Sequence, residues 1–215
     1  ARVFPRRTMA TPDDDLAFFA EPGLWPPTVD EVHISVSFTW DMRRAECLAH
    51  AWKSVAPLRI GGPGTGMSGG DFEPGRYLKP GYVITSRGCP NHCWFCSVWK
   101  REPRLIELPI RDGWILHDDN LLACSPRHIR QVFEMLQRQT APIQLRGGFE
   151  AARLKDWHIE LLQTIRLTEV FFAYDTPDDL EPLRDAGRRM IGMGFAPSNH
   201  IMRAYVLVGY PSDTF

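Results

Sequence analysis

The sequence predicts an α/β protein in which a parallel sheet is covered by helices. Three observations carry that expectation. Short apolar, β-branched runs recur along the chain, and segments with helical apolar spacing separate them. Several runs are apolar almost throughout, as befits strands buried on both faces. Helix-start pairs, Ser125-Pro126 and Thr176-Pro177, follow runs that end in Asp or Asn. With 215 residues, 44% hydrophobic and 24% charged, the chain can build one sizeable core or a core and a smaller lobe.

Residues 1–75 read as that lobe. The first 31 residues are rich in Pro, Asp and Arg, and Thr11-Pro12-Asp13-Asp14-Asp15 is placed to cap a short helix through Leu16, Phe18 and Phe19. Val32 to Phe38 alternates and predicts a strand. Asp41 then caps a helix to about Val55, with Met42, Ala45, Ala49 and Trp52 on one face and Cys47 as a small core residue. Leu58-Arg59-Ile60 returns as a strand, closing one β-α-β unit. Gly61 to Gly81 is a Gly/Pro-rich connection. Its run Gly61-Gly62-Pro63-Gly64-Thr65-Gly66 lacks the Gly-Lys-Ser/Thr ending of a phosphate loop.

Residues 76–215 alternate strand and helix. The expected strands are the run from Tyr82, then Trp114–His117, Ile143–Leu145, Val170–Tyr174 and Tyr205–Val208. Helices follow at Ser125 (Ile129, Val132, Phe133, Leu136 inward), at Asp156 (Trp157, Leu161, Leu162, Ile165) and at Thr176 (Leu180, Leu183, Met190). Polar groups at the carboxyl ends of parallel strands build active sites. Here those ends carry a cysteine loop, Asp118-Asp119-Asn120, Gly147 to Glu150, Asp175, and Gly209-Tyr210-Pro211, with His117 and Arg146 beside them.

The loop reads Arg87-Gly88-Cys89-Pro90-Asn91-His92-Cys93-Trp94-Phe95-Cys96 and holds three of the chain's five cysteines. Clustered thiolates ask for a soft metal or an iron–sulfur cluster. A cubane cluster held by three cysteines keeps one iron open, whereas zinc would need a fourth ligand such as His92 or Cys124. Cysteines so spaced are no disulfide framework and fit a reducing, cytoplasmic compartment. A net charge of −1 gives no bulk electrostatic case for nucleic acid. No apolar run approaches the about 20 residues that cross a bilayer, and Ala1 to Arg7 lacks the apolar core of a secretion signal.

The spacing Cys89-x-x-x-Cys93-x-x-Cys96 after the first strand resembles that of the radical S-adenosylmethionine superfamily. The run Thr85 to Pro90 is similar to branches with a cobalamin-binding or methylthiotransferase-type N-terminal domain. The resemblance covers about Tyr82 to Phe215 and implies a partial (β/α) barrel of radical S-adenosylmethionine type. It implies a [4Fe–4S] cluster on Cys89, Cys93 and Cys96, with S-adenosylmethionine on the fourth iron, cleaved reductively to a 5′-deoxyadenosyl radical that abstracts hydrogen from a substrate. By position, Phe95 lies near the adenine and Asp118, Asp119 or Asn120 stands where the family holds the methionine amino group. Asp175 stands for the family's acid after the fourth strand. Gly209 and Pro211 belong to its turn after the fifth, and Glu150 is a further rim candidate. The implied partners are a small-molecule or peptide substrate and an electron donor such as flavodoxin or ferredoxin. The sequence ends after the fifth strand, so the usual sixth is expected to be trimmed, cut away, or replaced by a partner chain at the open edge. The lobe lacks Asp-x-His-x-x-Gly, and cobalamin is not expected. The competing functions are an RNA-modifying methylthiotransferase-like enzyme and a non-catalytic iron–sulfur or zinc module.

Overall fold

The fold is that of a computed structural model in which residues 1–209 are described. Among these residues the strands form two parallel sheets, of four and five strands, and one two-stranded ribbon.

The N-terminal sheet comprises β1 (Arg2–Val3), β2 (Ala17–Phe18), β3 (Val32–Ser35) and β4 (Leu58–Gly61), in the order β2-β1-β3-β4. The expected β-α-β unit is present as β3, α1 (Met42–Trp52) and β4, but it is half of a larger sheet. The helix expected through Leu16, Phe18 and Phe19 does not form. Arg2 and Phe4 donate their N–H groups to the carbonyls of Leu16 and Phe18, both at 2.8 Å, and draw that segment into the sheet. The Phe18 ring then packs on Trp52 at 4.9 Å. A helix of so few residues has little intrinsic stability to set against those bonds.

Ala45, Leu48 and Trp52 turn α1 onto the sheet. Cys47 falls one position off that stripe and is exposed, not a core residue as its helical setting suggested. Asp41 precedes the helix but makes no side-chain cap; its carboxylate pairs with Arg6 at 2.8 and 2.9 Å, which holds its pKa below the ordinary value.

The second sheet holds β5 (Tyr82–Val83), β8 (Ile115–Leu116), β9 (Ile143–Leu145), β10 (Leu167–Tyr174) and β11 (Met202–Val206) in strict chain order, every neighbouring pair parallel. The intervening β6 (Ser86–Arg87) and β7 (Ile106–Glu107) form the antiparallel ribbon. The crossovers between β8, β9, β10 and β11 carry α3 (Pro126–Gln137), α4 (Asp156–Gln163) and α5 (Leu180–Gly192), whose buried residues share one core with the sheet. The short α2 (Val98–Arg101) closes the cysteine loop. The helix starts read from sequence hold: Ser125 Oγ accepts the N–H of His128, and Thr176 exchanges bonds with Asp179. β10 begins three residues before the expected Val170, and β11 lies at 202–206, not 205–208. Leu180 is exposed, so Met190 and Ala186 carry the inner face of α5 with partial help from Leu183.

His158 supplies a pH dependence for this core. It is 2% exposed, its Nδ1 accepts the Lys155 N–H at 3.0 Å, and its Nε2 has no partner. Burial, then the charges of Lys155, Arg130 and Arg189, lower its pKa from 6.5 to about 4. An unfolded chain protonates near the ordinary value while the folded one waits, so this contribution is complete above pH ~6.5 and is lost as pH falls toward 4. Thermal melts between pH 7 and 4.5 are expected to show a falling Tm whose slope His158→Gln reduces. An identical slope in both proteins would contradict this.

Candidate metal-cluster site

The cysteine loop hangs from the carboxyl rim of the second sheet, and three consecutive residues after β8 hold it. Asp118 accepts from the Thr85 N–H and hydroxyl, both at 2.6 Å, and from the Ser86 hydroxyl at 2.7 Å. Asp119 Oδ2 accepts the Gly88 N–H at 2.8 Å. Asn120 Nδ2 donates to Cys89 Sγ at 3.3 Å and to Glu150 Oε2 at 2.7 Å. Each step along the rim meets the next point of the loop. Gly88 has φ +83°, and a side-chain carbon there would lie 2.2 Å from the Arg104 carbonyl; only glycine fits where the two ends of the loop meet.

Asp118 was expected to face an ammonium group. Instead it is 2% exposed with both oxygens engaged, and it braces the loop. The far end is tied as well. Glu102, buried, accepts from Ser68 at 2.5 Å and from the Gly69 N–H at 2.9 Å, bringing the connecting segment against the loop. Burial raises the Glu102 carboxyl, but these two bonds and the nearby arginines outweigh it and leave it below the ordinary value.

Cys89, Cys93 and Cys96 are half-buried and free. Cys96 donates its N–H to the Cys93 carbonyl at 3.0 Å, and Val98 donates its own to Cys96 Sγ at 3.4 Å. The Cys93 thiol is pushed up by burial, then by Cys96 and Cys89, so the three sulfurs share one electrostatic neighbourhood. Two of them already receive N–H donors, the bonds that tune cluster ligands. Among the described residues no three His, Cys, Asp or Glu side chains close on a single ion. Three thiols gathered in one loop are the donor chemistry of a soft metal or an iron–sulfur group. Of the alternative zinc ligands, His92 packs its ring on Trp99 at 5.4 Å. Cys124 is buried, its thiol pushed up to about 12 chiefly by desolvation, and it donates to the Asn120 carbonyl.

One further feature fits a bound amine. Asn120 is 3% exposed, and its Oδ1 is buried without a donor. Glu150 lies beside it, held by Arg153 Nε at 2.5 Å. Phe95 lies in the same loop, edge-on to Trp94 at 5.6 Å. Asp175 is half-buried, its pKa raised by burial and then by Asp179. Gly209, with φ +102°, closes the described chain; Pro211 lies outside the described residues.

The rim also opens into a cavity of about 240 Å3 bordered by His117, Asp119, Arg146, Phe171 and Tyr205. Arg146 and Asp119 were legible as rim residues. Phe171 and Tyr205 were not, because β10 reads as apolar on both faces and the β11 run that holds Tyr205 reads as apolar throughout. The phase becomes visible only once Val170 and Phe172 are buried in the helix-covered core. Gly147 packs so close to β8 that a side-chain carbon would lie 2.1 Å from the Asp118 carbonyl.

No protein-family model and no curated protein matches this chain. No helix among the described residues is long and apolar enough to cross a membrane.

Proposed function

We propose that the chain is a radical S-adenosylmethionine enzyme whose second sheet is a partial (β/α) barrel. The observation that carries this is the bracing of a three-cysteine loop by Asp118, Asp119 and Asn120 at the carboxyl rim of that sheet. The strict chain order of its strands is what a barrel segment requires, since a doubly wound sheet reverses its order. Cys89, Cys93 and Cys96 would hold a [4Fe–4S] cluster. Asn120 Oδ1 and Glu150 would accept from the ammonium of S-adenosylmethionine, with Phe95 and Asp175 serving its adenosine. With both groups bound, the chemistry supplied is one-electron reduction of the sulfonium, breaking its bond to C5′ and releasing methionine and a radical that takes hydrogen from the substrate.

The chain's own part is to position and to exclude water. Asp118 keeps the loop base fixed, Asp119 and Gly88 set its entry, and Asn120 aligns Cys89. The electron would come from a flavodoxin- or ferredoxin-type donor, and the free cysteines suit a cytoplasmic setting. No ligand is assigned to residues 1–75.

The test is anaerobic reconstitution with iron and sulfide, reduction by dithionite, and addition of S-adenosylmethionine. The expected result is equal release of 5′-deoxyadenosine and methionine. A protein that loads four irons and releases neither would be an electron carrier instead.

A further inference from the structure

The inward face of the second sheet offers chemistry that the cysteine loop does not use. Phe171 and Tyr205, which both border the 240 Å3 cavity, stack with centroids 4.4 Å apart and planes at 16°, and Arg203 lies over the Phe171 ring at 5.6 Å. Beneath them one carboxylate serves two guanidinium groups. Glu169 Oε2 accepts from Nε and Nη2 of Arg146, both at 3.1 Å, and Oε1 pairs with Arg203 at 3.0 Å. Both oxygens are consumed. Arg146 Nη1 has no acceptor among the described residues, although its side chain is only 22% exposed and borders the cavity.

The two acids that also border the cavity make no bond to Arg146. Asp118 is spent on Thr85 and Ser86, and Asp119 binds the Gly88 N–H through Oδ2. His117 adds no cation at neutral pH, since burial and then Arg146 lower its pKa against the pull of Asp119. A partly desolvated guanidinium with open N–H groups asks for an oxyanion, which its fork matches geometrically. The volume suits a small group rather than a drug-sized ligand.

We propose that this cavity takes the carboxylate end of a small substrate, the carboxylate on Arg146 and a flat apolar body against Phe171 and Tyr205. The word substrate rests on the enzyme reading above; the anion site does not. Calorimetry on the protein without a cluster, with phenylacetate and phenylacetamide as probes, separates the two. Phenylacetate is expected to bind at least tenfold more tightly than the amide. Arg146→Gln removes the difference, while Arg188→Gln, exposed on α5, keeps it. Arg146→Lys, which keeps the charge and loses the fork, loses most of it and serves if the glutamine variant does not fold. Equal affinities for the two probes, or a preference that survives in Arg146→Gln, would overturn the site. In reconstituted protein, S-adenosylmethionine is expected to leave phenylacetate affinity unchanged. Competition would give Arg146 to the cofactor's own carboxylate and overturn the substrate assignment.

Discussion

Cys93→Ala is expected to abolish cluster retention, and Cys47→Ala is expected to leave it intact. Cys93 is half-buried in the shared field of Cys89 and Cys96, whereas Cys47 is exposed on the outer face of α1 in the other lobe. Losing one of three thiolates leaves a cubane with two protein ligands and a solvent-open edge. The measurement is iron content and visible absorption after reconstitution and desalting, with a loss of tenfold or more expected for Cys93→Ala. Equal retention in the two variants would remove the ligand assignment. Cys124→Ala sharpens the contrast. Its thiol is core-facing and desolvated, so its replacement should lower stability modestly while the iron count holds.

Asp118→Ala is expected to be the most destabilising single change at the site. Thr85 and Ser86 are fully buried, and the carboxylate is the acceptor for the Thr85 amide and for both hydroxyls. The hydroxyls can turn toward other acceptors, but the amide is fixed by the backbone. Stranding such groups costs about 3 kcal/mol, or roughly 10 °C in Tm for a chain of this size. Thermal denaturation checks the value, and a drop below roughly 3 °C would show that Asp118 does not brace the loop. Cluster retention should fall with it, because the loop's first anchor is gone. That pairing separates a bracing residue from one that touches cofactor, whose loss would leave Tm unmoved.

The α/β class and parallel strands were legible because alternation and helix-start chemistry are local. Ser125 and Thr176 behave as their sequence context demands. The ribbon of β6 and β7 was not legible. Two-residue strands carry no period, and their pairing depends on where the loop returns. For the same reason β1 and β2 were unseen, and a helix was expected in the place of β2. At the site, the cysteines announced themselves by spacing, and Asp118, Asp119 and Asn120 by their place after a strand. Their roles could not be read from order alone. Whether a rim carboxylate faces a ligand or its own loop depends on partners more than thirty positions away, as with Asp118 and Thr85. Arg146 shows the converse: that its one carboxylate partner is shared with Arg203 is visible only once Glu169 is placed between them.

The central claim is a cluster with one iron open to S-adenosylmethionine. Electron paramagnetic resonance of the dithionite-reduced, reconstituted protein tests it most directly. The spectrum is expected to change when S-adenosylmethionine is added, and to change also with S-adenosylhomocysteine, which lacks the sulfonium but keeps the amino and carboxylate groups. A [4Fe–4S] signal indifferent to S-adenosylmethionine at saturating concentration would contradict the claim.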